Sequence, residues 1–580
     1  MSDAAVNLAL VLVGVTLVFA AVLHGGGVLA ARLTGTAPPA IGLAAALAVL
    51  ADPAHPGAAL GVDHLSTAAY WMMTGLVLAV AGAAGCLLGR WIYRRRRAPA
   101  DPRALPGLAG GDEVARVASE RRLRRRAAML RPSLGPSRTV ARDVGYLLGH
   151  ARGRGVWATV EDSMLLVGPP RSGKGLHVVI PMILDAPGAV ITTSTRPDNL
   201  TTTLRARQRQ GPVAVFDPQQ LAAGVPAGLR WSPVRGCTDP LTAMIRATGL
   251  SASVGFGGVE DGGFWQGKTT AAIQALLHAA ALDERGAGDL YRWALSPSVA
   301  SEAVRILQNR AQAAAGWAES LEAMIQADPR TRDSIWQGVS LAFGALADPR
   351  VLAALSPGPG ESFDPESFLR ERGTLYLLAT GSGAGASAGL VAAFVEDLVE
   401  VARRMAARSP GARLDPPLLL ALDEIGNLAP LPSLPILMAE GGGTGVTVLT
   451  VLQSLAQARD RWSEHAASAI WDAAIVKILL GGQAGSRDLQ DLTTLIGERD
   501  ENTDSLTIDT FGGRSTQRSV RRVPIMPPDL IRALPFGVGL VLLRSARPIP
   551  ADLTPWVARK DAASLKDDRA RMEEMLRTGG

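Results

Sequence analysis

The sequence predicts an α/β fold in which helices cover both faces of a mainly parallel sheet, with an all-α insertion and two N-terminal membrane helices. From Trp157 onward, short apolar runs alternate with helical patterns, and this alternation is typical of a parallel sheet. Between Asp239 and Leu355 the strand pattern disappears, and Ala, Leu, Gln and Arg dominate. We therefore expect this segment to be an all-α insertion within the α/β domain.

The α/β part is predicted to contain short, uniformly apolar strands that are buried on both faces. The strands cover residues 164–167, 190–193, 213–217, 374–379, 418–423, 446–452, 475–480 and 539–543. Helices are predicted between most of them, at residues 175–184, 197–210, 387–407, 434–440 and 453–462.

Length and composition set the first limits on function. The chain has 580 residues, which is enough for two or three units and one large core. Its two cysteines, Cys86 and Cys237, are too few and too far apart for a disulfide framework or a metal site. The formal net charge of +6 favours anionic partners, but it does not separate DNA from a membrane surface.

Two apolar stretches near the N-terminus are long enough to cross a bilayer, at residues 6–31 and 67–88. The string HGGG at residues 24–27 interrupts the first of them. Five arginines between residues 90 and 97 follow the second, so the positive-inside rule places the C-terminal side in the cytoplasm. We predict a multi-pass anchor in the cell membrane over residues 1–97, with the C-terminal bulk in the cytoplasm.

The strongest chemical signal is the string GPPRSGKG, which lies between a predicted strand and a predicted apolar helix. In this context glycines let the backbone N–H groups point inward, and Lys174 reaches the β- and γ-phosphates of a nucleotide. Gly175 stands where a Ser or Thr hydroxyl usually binds Mg²⁺, so the metal needs another oxygen or a bridging water. An ordinary glycine turn is the alternative. The predicted nucleotide-binding residues are Gly168, Pro169, Pro170, Arg171, Ser172, Gly173, Lys174, Gly175 and Leu176.

A second string, GGFWQGKT, fits the phosphate-loop pattern better because it ends in Thr269. Its context is unsuitable, since no strand-like run precedes it. Phe264 and Trp265 would also crowd a backbone that must lie against phosphate. We therefore expect residues 267–269 to begin a helix, and we place the nucleotide at the first string.

Polar side chains follow two of the predicted strands. The apolar strand at 418–422 is followed by Asp423 and Glu424, at the sheet edge where ligands bind in open α/β folds. Asp423 is predicted to hold Mg²⁺, directly or through water, and Glu424 to deprotonate the attacking water. Gln453 follows the strand at 446–452 and is predicted to sense the γ-phosphate; its alternative role is a capping or packing amide.

These signals divide the chain into segments. Residues 98–142, which are basic and rich in proline, are predicted to be a linker. Residues 143–238 and 356–550 are the two parts of the nucleotide-binding domain, on either side of the all-α insertion at 239–355. Residues 551–580 are predicted to be a charged C-terminal tail.

Several strings together resemble the coupling ATPases of type IV secretion and conjugation, the TraG/TraD family. They are GPPRSGKG with the following VVIP, TSTRPDN at residues 193–199, FDPQ at 216–219, LALDEIGNL at 420–428 and QSLAQ at 453–457. The likeness covers residues 144–550, and the two-span anchor also fits. Members of the family often have GKG at the phosphate loop, so Gly175 agrees with the resemblance.

The resemblance implies a membrane-anchored, RecA-like P-loop ATPase that uses ATP and Mg²⁺ and assembles into a homo-hexamer. It implies delivery of relaxase-bound single-stranded DNA, or of protein substrates, to the components of a type IV secretion channel. In such hexamers an arginine from the neighbouring subunit usually completes the site. Arg459, Arg461, Arg487 and Arg499 are the candidates, and we place Arg487 first because it follows the predicted strand at 475–480.

Two other functions remain open. A double-stranded DNA translocase of the FtsK type shares the motor core, but the all-α insertion and the short anchor favour the coupling protein. A non-motor membrane receptor with a degenerate nucleotide site is the other alternative. Gly175 supports it, as does the lack of an arginine at residues 441–448, where relatives can carry the arginine that completes the neighbouring site. Lys174, Asp423 and Glu424 oppose it.

Overall fold

The structure is a computed structural model that describes residues 3–40, 42–97, 101–134, 139–222, 224–225, 228–252, 254, 261–358, 360–361, 363–379, 384–508 and 514–578. The chain forms two compact units. The first comprises Met1–Asp101 with Asp500–Arg521, and the second comprises Pro102–Arg499 with Arg522–Gly580.

The first unit contains two long helices, α1 (Asp3–Thr34) and α3 (Thr67–Arg97). The 3₁₀ helix Leu43–Leu50 and the short helix α2 (Pro56–Leu60) lie between them in the chain. Leu12–Thr34 and Thr67–Trp91 are long and apolar enough to be membrane spans, by length and composition alone. The first of these lies further along the chain than the predicted 6–31, and the second extends the predicted 67–88.

The glycines that interrupt the first apolar helix lie where α1 and α3 pack together. A side chain on Gly26 would overlap Thr74 of α3, and a Cβ atom on Gly27 would lie 2.8 Å from Cδ1 of Leu60. Tyr70 is buried beside them and donates a hydrogen bond of 3.2 Å to the carbonyl oxygen of Leu23. Gly26 therefore permits a close approach of α1 and α3, and Gly27 leaves room for Leu60 of α2.

The strands are β1 (Gly145–Ala151), β2 (Arg154–Thr159), β3 (Met164–Val167), β4 (Val190–Ser194), β5 (Val213–Phe216), β6 (Thr374–Leu378), β7 (Leu418–Leu422), β8 (Val446–Leu452), β9 (Val476–Leu480), β10 (Glu498–Ile508), β11 (Arg514–Pro524), β12 (Val538–Leu543) and β13 (Ile549–Leu553). The other α-helices are α4 (Gly111–Ala118), α5 (Glu120–Arg125), α6 (Ala127–Leu130), α7 (Ile180–Asp185), α8 (Asp198–Gln208), α9 (Pro240–Ser251), α10 (Gly262–Leu282), α11 (Ala287–Leu295), α12 (Pro297–Asn309), α13 (Trp317–Ile325), α14 (Pro329–Ala342), α15 (Pro349–Ala354), α16 (Pro365–Arg370), α17 (Ala384–Ala407), α18 (Ile425–Leu428), α19 (Leu434–Glu440), α20 (Leu455–Trp462), α21 (Glu464–Ala473), α22 (Ser486–Ile496), α23 (Pro528–Arg532) and α24 (Ala562–Thr578).

One 11-stranded sheet has the order β2-β1-β13-β12-β9-β3-β8-β7-β4-β6-β5, and β10 with β11 forms a separate two-stranded sheet. Seven neighbouring strands of this sheet, β9, β3, β8, β7, β4, β6 and β5, run parallel to one another. β12, β13, β1 and β2 extend the sheet in antiparallel pairs. The predicted α/β fold with a mainly parallel sheet is therefore confirmed. β1, β2 and β13 were not predicted, because glycine, proline and charged residues interrupt their apolar pattern.

The central strands are buried on both faces. Every residue of β3, β4, β6, β7 and β8 is buried. Leu165 and Val167 of β3 join one hydrophobic cluster, whereas Met164 and Leu166 join another on the opposite face. This alternation is the two-residue period of a strand between two layers of helices.

The described residues between β5 and β6 form helices α9 to α16, with a 3₁₀ turn at Gly344–Ala347. These helices share one hydrophobic cluster with the sheet and with α17. A Cβ atom on Gly249 of α9 would lie 2.7 Å from Cα of Ala393 in α17, so the two helices approach closely. A buried ion pair of 2.7 Å between Arg246 and Asp397 joins the same helices. The helical segment is therefore built onto the α/β core.

The predicted linker over residues 98–142 requires a correction, because much of it is folded. Val114, Leu123 and Leu130, in α4, α5 and α6, are buried in one cluster with residues of β1 and β2. Arg131 makes a 2.8 Å ion pair with Asp415. The apolar residues recur at helical spacing among arginines, and only packing reveals that their face is buried.

The predicted tail over residues 551–580 is likewise part of the second unit. β13 pairs with β12 and β1 across the predicted boundary. Met572 of α24 is buried against Leu200 and Leu204 of α8, and Arg209 donates two 3.0 Å hydrogen bonds to Asp568. The charged sequence of α24 concealed this narrow apolar face.

Candidate nucleotide site

The string GPPRSGKG follows β3, a strand in the middle of the sheet. Gly168 has no room for a side chain, because a Cβ atom would lie 2.7 Å from Oγ of Ser172. Arg171 (φ 63°) and Gly173 (φ 90°) have left-handed backbone conformations that turn the chain back over the end of β3. The π-helical turn Gly175–Val179 and α7 follow. This order of strand, loop and helix is the one that phosphate binding requires.

Lys174 has its ammonium group inside this loop. The residue is 8% exposed, and Nζ donates hydrogen bonds to the carbonyl oxygens of Gly168 (2.8 Å) and Pro169 (3.0 Å). Burial lowers the pKa of Lys174, whereas the charges of Asp423 and Glu424 raise it. Phosphate oxygens are stronger acceptors than carbonyl groups, so a phosphate would draw the ammonium from these partners.

Asp423 lies at the same edge of the sheet, because β8 alone separates β7 from β3. Its backbone oxygen accepts a 2.9 Å hydrogen bond from Oγ1 of Thr193, and its Oδ2 accepts one of 3.3 Å from Nδ2 of Asn199. Burial and the charge of Glu424 raise the pKa of Asp423 to about 6, against the opposing effects of Asn199 and Lys174. A cation beside this carboxylate would favour its ionised form.

Glu424 has a left-handed backbone conformation (φ 51°), which costs about 1 kcal/mol for a residue other than glycine. Its Oε2 accepts a 2.7 Å hydrogen bond from Oγ1 of Thr195. The turn directs Glu424 away from the line of β7, and the threonine fixes its carboxylate. Such restraint is typical of a residue that must act on a positioned water.

Gln453 directly follows β8, the strand between β3 and β7. Its backbone N–H donates a 2.9 Å hydrogen bond to Oε1 of Gln457, whose Nε2 donates one of 2.7 Å to Oδ1 of Asn427. This chain of amides joins the QSLAQ string to the turn after Glu424. The position of Gln453 agrees with the predicted edge, and its role as a sensor stays a prediction.

The second string, GGFWQGKT, is the first part of helix α10, which begins at Gly262. Lys268 lies with Nζ 5.8 Å from the centre of the Phe264 ring, and Thr269 is fully buried. The N–H groups of Phe264 and Trp265 donate to the carbonyl oxygen of Asp261, and residues 266–269 lie inside the helix. The string therefore forms a helix and not a loop that wraps around a phosphate.

Arg487 lies in α22, with its side chain 72% exposed and 3.3 Å from Glu464 of α21. Arg459 instead makes a 2.7 Å ion pair with Asp488, whose side chain is 7% exposed. Arg487 is therefore the more available of the two for a neighbouring subunit, and its catalytic role stays a prediction.

The side chains of Thr193, Thr195 and Asn199 were not assigned a role from the sequence. Thr193 lies in β4, the strand next to β7, and Thr195 and Asn199 follow that strand. All three donate hydrogen bonds to Asp423 or Glu424. The signal was present, because TSTRPDN is a polar string at the carboxyl end of an apolar strand. Its pairing with the carboxylates depended on a strand order that the sequence leaves open.

The donor set fits a magnesium ion that arrives with a nucleotide. Among the residues that the structure describes, no group of three or more His, Cys, Asp and Glu side chains is arranged to hold a metal. Mg²⁺ commonly takes one or two protein carboxylates and completes its shell with phosphate oxygens and water. Asp423, with Asn199 beside it, meets that requirement.

Residues 417–536 match the family model described as the TraM recognition site of TraD and TraG. The matched segment contains Asp423, Glu424, Gln453 and Arg487. A search of curated protein sequences gave no match.

Solved structures of a bacterial conjugative coupling protein have a similar fold. The unbound TrwBdeltaN70 structure has a TM-score of 0.54 at 16% identity and covers 76% of this chain and 92% of its own. TrwB with ADP and Mg²⁺ has a TM-score of 0.51 at 16% identity, covering 77% and 95% of the two chains. TrwB with the ATP analogue ADPNP has a TM-score of 0.52 at 17% identity, covering 77% and 94%. The shared fold and the family segment together confirm the resemblance to the TraG/TraD coupling proteins that the sequence motifs predicted.

Proposed function

We propose that this protein is a membrane-anchored ATPase that couples DNA or protein substrates to a type IV secretion channel. One observation carries the proposal: Lys174, Asp423 and Glu424, from two different strands, converge at one edge of a RecA-like sheet. Phosphate binding, a metal-binding carboxylate and a restrained base are the three parts that ATP hydrolysis requires of a P-loop protein.

Each residue has a distinct role in this proposal. The backbone of residues 168–176 binds the phosphates, and Lys174 exchanges its carbonyl partners for phosphate oxygens. Mg²⁺ held by Asp423 would neutralise charge on the β- and γ-phosphates. Glu424 accepts the proton of the attacking water while Thr195 fixes its carboxylate. Gln453 reports the presence of the γ-phosphate to β8 and α20.

The two candidate spans and the arginines after the second support an anchor in the cell membrane with the α/β unit in the cytoplasm. The proposed cargo is relaxase-bound single-stranded DNA or a secreted protein. Because the matched segment is described as a TraM recognition site, a protein of the TraM kind is included among the proposed partners.

Hydrolysis by the full-length protein in lipid nanodiscs tests the proposal. We expect ATP turnover that increases with single-stranded DNA and rises with assembly of the protein. Stimulation by double-stranded DNA alone would favour the translocase of the FtsK type. Absence of turnover in every oligomeric state would favour the non-motor receptor.

We also propose that the protein acts as a homo-hexamer in which Arg487 enters the site of the neighbouring subunit. Replacing Arg487 with Ala should lower kcat about 10²-fold, because one stabilising donor is lost from the transition state, and should leave ATP affinity nearly unchanged. Arg305→Ala, at an exposed position of helix α12, is the control and should retain turnover. Wild-type kcat in the Arg487→Ala hexamer would exclude this arginine.

A further inference from the structure

Gly175 lacks the hydroxyl that usually binds Mg²⁺ in a phosphate loop, and nothing in the local packing requires a glycine there. A Cβ atom on Gly175 would meet a single neighbour within 4 Å, Oδ1 of Asn199 at 3.9 Å. A Cβ atom on Gly168, in the same loop, would instead clash with Ser172. The space in front of Gly175 is therefore open toward the side chain of Asn199.

Asn199 reaches this space from the first turn of α8. Its residue surface is 2% exposed, and its Nδ2 donates a hydrogen bond of 3.3 Å to Oδ2 of Asp423. The amide nitrogen of Asn199 thus faces Asp423, and its carboxamide oxygen, Oδ1, is the atom that lies nearest to the Cβ position of Gly175.

The carboxamide oxygen of asparagine is a neutral, hard oxygen donor, as is the hydroxyl of serine or threonine. Mg²⁺ prefers such ligands and combines them with carboxylate, phosphate and water oxygens. Asn199 thus places a neutral oxygen donor where a side chain at position 175 would point, next to the carboxylate of Asp423.

We propose that Asn199, in the first turn of the helix that follows β4, supplies the neutral oxygen that the phosphate loop lacks at Gly175, and so holds the Mg²⁺ of the bound nucleotide together with Asp423. This inference rests on the proposed ATP site. It gives the TSTRPDN string a chemical role: Thr193 and Thr195 hold the backbone of Asp423 and the carboxylate of Glu424, and Asn199 serves the metal.

The test compares the Kd of ATP with Mg²⁺ and with EDTA in the full-length protein. The ratio of interest is the Kd in EDTA divided by the Kd with Mg²⁺. We expect Asn199→Ala to reduce this ratio about tenfold or more by raising the Kd with Mg²⁺, with the Kd in EDTA unchanged. Adding Gly175→Ser to Asn199→Ala should restore the ratio, because the hydroxyl returns to its usual position. Asn309→Ala, at the end of helix α12, is the control for asparagine loss.

Asn199→Asp separates metal binding from a purely structural role of the amide. This variant retains an oxygen but loses the Nδ2 donor, so the proposal predicts that the dependence on Mg²⁺ is retained. Loss of the dependence, as in Asn199→Ala, would show that the amide only positions Asp423 and would overturn the proposal. Failure of Gly175→Ser to restore the ratio would also overturn it.

The failure of the proposed ATP site itself has a different signature. If wild-type protein bound no ATP in EDTA or Mg²⁺, or if Lys174→Ala bound it as well as wild type, the site assignment would be wrong. A wild-type Kd ratio in Asn199→Ala, beside a loss of binding in Lys174→Ala, would reject the role of Asn199 alone.

Discussion

Lys174→Ala is expected to lower the affinity for ATP about 10²-fold and to abolish measurable hydrolysis. The ammonium group is held inside the loop by Gly168 and Pro169 and is placed to exchange these carbonyl groups for phosphate oxygens. A hydrogen bond to a charged group contributes about 1.5–3 kcal/mol, and about 1.4 kcal/mol corresponds to a tenfold change in Kd. Equilibrium binding of a fluorescent ATP analogue to the full-length protein measures the effect.

Lys268→Ala is the matched control, because Lys268 occupies the same place in the second phosphate-loop string. Its ammonium group lies over the ring of Phe264, and the string that contains it forms a helix where GPPRSGKG forms a loop. We expect this variant to bind ATP as the wild type does. Equal losses in both variants would contradict the assignment of the site to GPPRSGKG.

Glu424→Gln is expected to lower kcat about 10³-fold while leaving ATP affinity within a few-fold of wild type. The amide has the size of the carboxylate and accepts the hydrogen bond of Thr195, but it is unable to take a proton from water. Single-turnover hydrolysis, beside the binding measurement, separates the loss of chemistry from a loss of substrate.

Glu440→Gln provides the control for this substitution, since Glu440 is an exposed carboxylate at the end of α19. Its kcat should equal that of the wild type. If Glu424→Gln retained wild-type turnover, the general base would have to be another residue, and Asp423 would be the next to test.

The sequence was sufficient to predict the central sheet and the sheet edge where the candidate site residues lie. Strands such as β3 and β7 are short, apolar and buried, and this local pattern fixes their type without reference to the rest of the fold. Lys174, Asp423 and Glu424 follow directly from it, because residues at the carboxyl ends of parallel strands meet at one edge. Local context also favoured GPPRSGKG over GGFWQGKT as the phosphate loop, and the structure places the second string in a helix.

The tertiary structure alone showed which apolar helix faces are covered by other elements and which strands lie side by side. The helices in the predicted linker and α24 in the predicted tail both carry narrow apolar faces among charges, and a sequence pattern does not reveal whether such a face is covered. Asn199 is the sharpest case. Its proximity to Gly175 and Asp423 requires β4 to lie beside β7, and strand order is set by packing between residues more than two hundred positions apart.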